Sequence, residues 1–149
     1  MSNERFHFVG LKRPYRFATP VPGEEFAAWI VAEDSTLSRV ELNGLADELV
    51  ASGCRYAVCS GHDCSRWDDA IDCACVARKR DGDSAEEDFV MTTWHPRESI
   101  EDAAEFFVTH TKFDGFEPHH YVVVAIGGGP QALAASALTR TLIENRMMS

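Results

Sequence analysis

The chain has no CxxC pair, no lysine following its one glycine cluster, and no complete GxGxxG run. These absences argue against a paired-cysteine zinc site, a Walker phosphate loop and the full dinucleotide fingerprint. No apolar stretch approaches the roughly 20 residues needed to span a bilayer. The opening MSNERFHFVGLKRPYRF has neither an apolar core nor a small-residue cleavage site, so no secretory signal is expected. Positive charge is in short supply: 14 Lys and Arg stand against 24 Asp and Glu, a formal net charge of −10. Such a surface repels phosphate backbones and anionic lipid. Neither nucleic acid nor membrane is therefore an expected partner, whereas a basic protein is.

The 149 residues, 45% of them apolar, are enough for one ordinary domain with a sizeable core. Repeats, low-complexity linkers and a second domain are all missing, so a single domain over residues 1–149 is expected. Residues 1–23 carry three of the six prolines and the aromatics Phe6, Phe8, Tyr15 and Phe17. They read as an extended arm with a short edge strand at 5–9. Pro20 and Pro22 keep the chain out of a helix until the first clear strand.

Four apolar runs read as strands: 26–32 (FAAWIVA), 54–59 (CRYAVC), 89–94 (FVMTTW) and 121–126 (YVVVAI). They alternate with helical patterns at about 36–52, 63–80, 99–112 and 131–145. The first helix is expected to be capped by Asp34 or Ser35 and closed by Gly53, with Gly44 marking a close helix–sheet contact or a break. Asp63 is expected to cap the second, with Trp67, Ala70, Ile71, Ala74 and Cys75 inward and Arg78, Lys79 and Arg80 complementing its dipole. Ser99 with Asp102 suggests a capping box for the third, whose inner face reads Ala103, Phe106, Phe107 and His110. Leu133, Ala137 and Leu138 are the expected inward residues of the last. The acidic run 81–88 (DGDSAEED) and the pair Asp114-Gly115 read as loop and turn.

Strands that are apolar throughout, separated by helical crossovers, imply a sheet buried on both faces. The expected fold is an α/β/α three-layer sandwich with a mainly parallel sheet of four or five strands, Rossmann- or flavodoxin-like. In such sheets ligands bind outside the carboxyl ends of the strands. Those ends bring Glu33-Asp34, Ser60-Gly61-His62-Asp63-Cys64, Trp94-His95 and Gly127-Gly128-Gly129 to one edge.

The candidate chemical groups at that edge are His62, Cys64 and His95. A Cys64 thiol in the first turn of a helix would have a lowered pKa, and either histidine could act as its base. Ser60, Gly61, Asp63 and Gly127–Gly129 are the candidate ligand-binding residues, the glycines because their backbone N–H groups can meet an anion. The odd count of five cysteines fits no secreted disulfide framework and suggests a reducing cytoplasm. Cys59, His62, Cys64, Cys73 and Cys75 lack metal-ligand spacing, and His119-His120 belongs to the opposite edge, so no metal and no cofactor are expected. A tyrosine-phosphatase cradle, Cys-x5-Arg, is missing too, because six residues separate Cys59 from Arg66.

Two segments carry resemblances. Ser60–Ser65 loosely resembles the SGGxDS loop of ATP pyrophosphatases, but His62 replaces the second glycine, Asp63 falls one position early, and the loop follows the second strand. Cys64-x-x-Trp67-Asp68-Asp69 together with Thr93-Trp94-His95 resembles a family of small uncharacterised bacterial α/β proteins, which implies a bacterial cytosolic origin and transfers no activity. The leading expectation is a non-enzymatic acidic binding or accessory protein, immunity-like, that engages a protein partner. The alternative is a small-ligand or nucleotide-binding enzyme using His62, Cys64 and His95.

Overall fold

Two runs almost devoid of polar side chains set the centre of the molecule. In the computed structural model, which describes residues 4–80, 82, 89–113 and 115–148, these are β2 (Phe26–Ala32) and β5 (Tyr121–Ile126), each buried at every position. They pair in parallel, with Ala27 opposite Tyr121 and Ala32 opposite Ile126. β3 (Cys54–Gly61) lies on the other side of β2, β4 (Met91–Trp94) beyond β3, and β1 (Phe6–Leu11) beyond β5. The sheet has five strands in the order β1-β5-β2-β3-β4, all parallel, as the Rossmann-like reading requires.

The order and crossover handedness together place the helices. The chain steps one way from β2 to β3 to β4, through α1 (Arg39–Ala51) and α2 (Arg66–Arg80). It then turns back past β3 and β2 to place β5, through α3 (Ile100–Thr109), and continues into α4 (Pro130–Met148). Right-handed crossovers in opposite directions put their helices on opposite faces. Accordingly α1 packs on α2 and α3 on α4, and the buried apolar residues form two clusters, one on each face of the sheet. Trp29 and Trp67 are the largest fully buried side chains among the described residues, and burying one of that class contributes about 1.5–3 kcal/mol or more. No helix among the described residues is long and apolar enough to cross a membrane.

Several local expectations shift. α1 begins at Arg39 rather than 36, because Ser38 and Glu41 form a reciprocal capping box. Asp34 does not cap it: its carboxylate instead closes a turn onto the Thr36 N–H and hydroxyl. Gly44 is exposed, in an unbroken helix with open space around it, so it marks neither a close contact nor a break. α2 starts at Arg66, three residues after Asp63, which is left outside the cap position with φ at +53°. α3 stops at Thr109 and buries Ala103, Ala104, Phe107 and Val108. Phe106 and His110 stack on each other at 5.3 Å instead of both facing inward. α4 buries Ala132, Ala135, Thr139 and Ile143, whereas Leu133 is 66% exposed and Ala137 also faces out. Alanine on its inner face lets that helix sit close to the sheet. The acidic run 81–88, apart from Gly82, lies outside the described residues, as do Asp114 and the side chains of Lys79 and Arg80.

At the amino ends of β1 and β5, two histidines meet. His7 Nε2 lies 3.2 Å from His120 Nδ1, and Glu24 reaches His120 Nε2 at 3.2 Å. A ring-to-ring hydrogen bond needs one neutral imidazole at least. Burial first, and then the neighbouring His120, push the His7 pKa below its ordinary 6.5. A depressed histidine leaves the unfolded chain binding more protons, so stability is complete above pH 6.5 and falls as the pH drops below it toward the lower folded value. Protection factors at β1, which remove the intrinsic pH dependence of amide exchange, should therefore fall as the pH drops below 6.5, and His7→Gln should flatten that dependence.

Candidate functional site

The carboxyl edge of the sheet has one topological switch point, between β2 and β5, whose following helices leave on opposite faces. A ligand of an open α/β sheet is expected there. After β5 the run Gly127 to Ala132 has G-x-G-x-x-A spacing, which in dinucleotide-binding folds presents a helix N-terminus to a pyrophosphate. A search for a closing glycine passes over it.

That anion position is filled by the chain itself. Glu33, the residue after β2, turns its carboxylate onto the start of α4: Oε1 accepts from the Ala132 N–H at 2.8 Å and Oε2 from the Gln131 N–H at 3.2 Å. Its own N–H donates to the Ile126 carbonyl at 2.8 Å, which aims the side chain across the crevice. The approach depends on Gly129, where a Cβ would lie 2.0 Å from Glu33 Oε2. A carboxylate at a helix N-terminus satisfies otherwise unpartnered donors and opposes the dipole.

The arm engages the next residue, Asp34. Asp34 accepts from the Tyr15 hydroxyl at 2.7 Å and stands 3.2 Å from Arg13. Arg13 also donates to both carboxylate oxygens of Glu41, at 2.7 and 3.1 Å, and to the Thr36 carbonyl at 2.9 Å. Hydrogen bonds from Thr36 and Tyr15 hold the Asp34 pKa down to about 2. The Arg13 guanidinium does the same for Glu41, also to about 2. The Tyr15 phenol, partly buried against Asp34, is pushed up to about 12.

The candidate chemical groups occupy three separate settings. Cys64 is buried in the core cluster on the α1–α2 face and lies two residues before α2, not in its first turn. Burial raises its thiol pKa, the opposite of the lowered value expected for a nucleophile. Cys54 is pushed up to about 12 and Cys59 well above its ordinary range, both by burial. His95 is buried under α3: its ring lies 4.7 Å from that of Phe106, its Nε2 is 3.0 Å from Thr93 Oγ1 and its Nδ1 is 2.9 Å from Glu98. His62 is exposed, 3.2 Å from Asp63, at the rim of a hollow between α1 and α2. The fold thus pairs His62 with Asp63 and brings Cys64 near the His95 main chain, but it directs the two imidazoles into different surroundings.

Two of the candidate ligand-binding residues have structural employment. Ser60 is buried and its Oγ accepts from Trp29 Nε1 at 2.9 Å. Gly61, at φ +95°, lies so close to β2 that a Cβ would be 2.2 Å from the Ala32 carbonyl oxygen. Gly127, Gly128 and Gly129 line a hollow of ≈ 570 Å³ with Phe8, Lys12, Tyr15 and Leu133, outside the Glu33 contact. No group of three or more metal-ligating side chains is assembled among the described residues.

Sequence reading placed Glu33 at this edge without a role and passed over Arg13, because their partners lie far along the chain, Glu33 acting 98 residues away on Gln131. Glu33→Ala should lower stability by about 1 kcal/mol, the usual cost of a lost helix cap. Added phosphate should restore much of that loss, since it can replace the missing anion. Thermal unfolding of both proteins with and without phosphate checks this.

A family model described as "Domain of unknown function (DUF7684)" matches residues 6–144. No curated protein matches the chain. The match spans the whole sheet and all but the last residues of α4, and on that extent the chain belongs to the DUF7684 family.

Proposed function

We propose that this protein is a non-enzymatic binding or accessory factor, a single α/β unit that engages a basic protein partner through the open edge of β4. The observation that carries this reading is the character of that edge. β4 ends the sheet, none of its residues is buried, and Met91, Trp94 and the preceding Phe89 expose 37%, 45% and 39% of their surfaces. The His95 N–H pairs with the Cys59 carbonyl, so residues 91, 93 and 95 turn their main chain toward β3. By the alternation of a parallel ladder, Thr92 and Trp94 turn theirs outward. An unpaired edge with apolar side chains is a template for an added strand.

Charge supports the choice of partner. In sequence the strand is preceded by Asp81, Asp83, Glu86, Glu87 and Asp88 and followed by Glu98, Glu101 and Asp102. Beside it, α2 carries Asp68, whose pKa is raised by burial first and then by Asp72 and Asp69. Carboxylates that repel one another gain from an incoming cation. The filling of the switch-point crevice by Glu33, Arg13 and Tyr15, and the separate settings of His62, Cys64 and His95, weigh against the enzymatic alternative. Five cysteines without a disulfide among them, four of them buried, agree with a reducing cytoplasm. The resemblance noted from the sequence points to a bacterial one.

A synthetic peptide of alternating lysine and valine is the direct probe. It should bind with an affinity that falls several-fold as salt rises and that is reduced at least about tenfold by Trp94→Lys, which sets a like charge against it. An alternating glutamate–valine peptide should not bind. Fluorescence anisotropy reads both, and binding of the basic peptide that is indifferent to Trp94→Lys would sink the edge reading.

A further inference from the structure

Away from the crevice and from β4, α1 and α2 enclose a hollow of ≈ 450 Å³, within the size range of small-molecule sites. Its floor is apolar, made by Leu37, Leu42 and Ala70. Its polar groups come from both helices and from the turn after β3: Arg39 and Asn43 on one side, Arg66 and Asp69 on the other, His62 at the rim.

The placement of the arginines runs against local physics. Arg39 is the first residue of α1 and Arg66 the first of α2, so each sets a cation at the positive end of its own helix. Ion pairing gives little in return. Arg39 has no ion-pair partner among the described residues, and Arg66 reaches only Asp63, at 3.8 Å. Asp63 is already engaged with His62 at 3.2 Å and is itself in the left-handed region at φ +53°, where a non-glycine residue is uncommon. Asp69 also lines the hollow without an ion-pair partner among the described residues, although it lies three positions from Arg66 on the same helix. An unpaired cation and an unpaired anion thus share an apolar-floored cavity and leave each other unmatched. Residues that break a local rule without a structural gain are where functional sites are sought.

We propose that this hollow binds a small amino acid with an aliphatic side chain. Its carboxylate is held by Arg39 and Arg66, with Asn43 as a further donor. The side chain lies over Leu37, Leu42 and Ala70, and the ammonium group meets Asp69. The charges of the lining select this class: two arginines balance Asp63 and Asp69, so a ligand of zero net charge with separated poles fits better than a dianion. A guanidinium presents the planar fork that a carboxylate matches.

The test is amide-proton NMR on the full chain with three probes: L-leucine, leucinamide, which lacks the carboxylate, and 4-methylpentanoate, which lacks the amine. L-leucine should give saturable shifts confined to the first turns of α1 and α2 and to residues 62–63. The other two probes should bind at least about tenfold more weakly, the loss expected when a charged hydrogen-bonding partner is removed. Arg39→Gln should abolish the shifts while leaving the unfolding midpoint unchanged or raised, because it removes a cation from a helix N-terminus. Asp69→Asn should erase the preference for leucine over 4-methylpentanoate. Any of three results overturns the proposal: no saturable shift at about 10 mM, leucinamide binding as well as leucine, or undiminished leucine binding by Arg39→Gln.

Discussion

The contact between the Glu33 carboxylate and the first amides of α4 governs the carboxyl edge of this protein. It joins the two halves of the topology where they diverge, since β2 leads to the helices on one face and β5 to those on the other. An internal carboxylate there does what a ligand phosphate does in dinucleotide-binding folds: it satisfies helix donors and opposes the helix dipole. The glycines that would admit a phosphate admit Glu33 instead, and Gly129 is required for that approach. The arm completes the closure through Arg13 and Tyr15, which bind Asp34 one residue further on. A fold whose usual ligand position is filled by its own side chains keeps the sheet and frees other surfaces for recognition.

α2 borders two such surfaces. Its Arg66, Asp69 and Cys73 face the hollow shared with α1, while the helix as a whole packs beside β4. The hollow is a concave site whose charges balance in number but are only partly paired among the described residues, suited to a small molecule. The β4 edge is an open strand with exposed Trp94 and Met91 under a surplus of carboxylates, suited to an extended basic segment. The same net charge of −10 that argues against nucleic acid thus finds a use in partner choice.

The fold was legible in the sequence wherever burial is two-sided. FAAWIVA and YVVVAI admit no alternation, and a strand without alternation between helices belongs inside a parallel sheet. The order of strands was less legible, because crossover handedness fixes the face of each helix and not the side to which the chain turns back after β4. β1 was the least visible strand. Its alternating burial over FHFVGL is that of an edge, and its aromatics suggested an arm docking on the body. On the inner face of α4 Leu138 was read correctly, since it packs against the core, but alanines lie on several faces of the helix and Leu133 and Ala137 turn outward. At the site, sequence reading found the edge and the residues around it. It could not see that Ser60 turns to Trp29, that Cys64 lies under α1 and α2, or that Glu33 and Ala132, 99 positions apart, share a hydrogen bond. Those facts depend on side-chain direction and long-range register. The arginines opening α1 and α2 were a signal within reach, since each breaks the dipole rule at its own helix start.

The central claim, that Glu33 occupies the switch point, is tested most directly by native-state hydrogen exchange at the amides of Gln131 and Ala132. First-turn amides of a helix lack intrahelical acceptors and exchange quickly when nothing else binds them. If Glu33 holds them as the structure has it, both are protected, Ala132 more strongly than Gln131 in keeping with its shorter bond, and protection is lost in Glu33→Ala. Fast exchange at both amides in the unaltered protein would contradict the account and return the crevice to the list of open ligand sites.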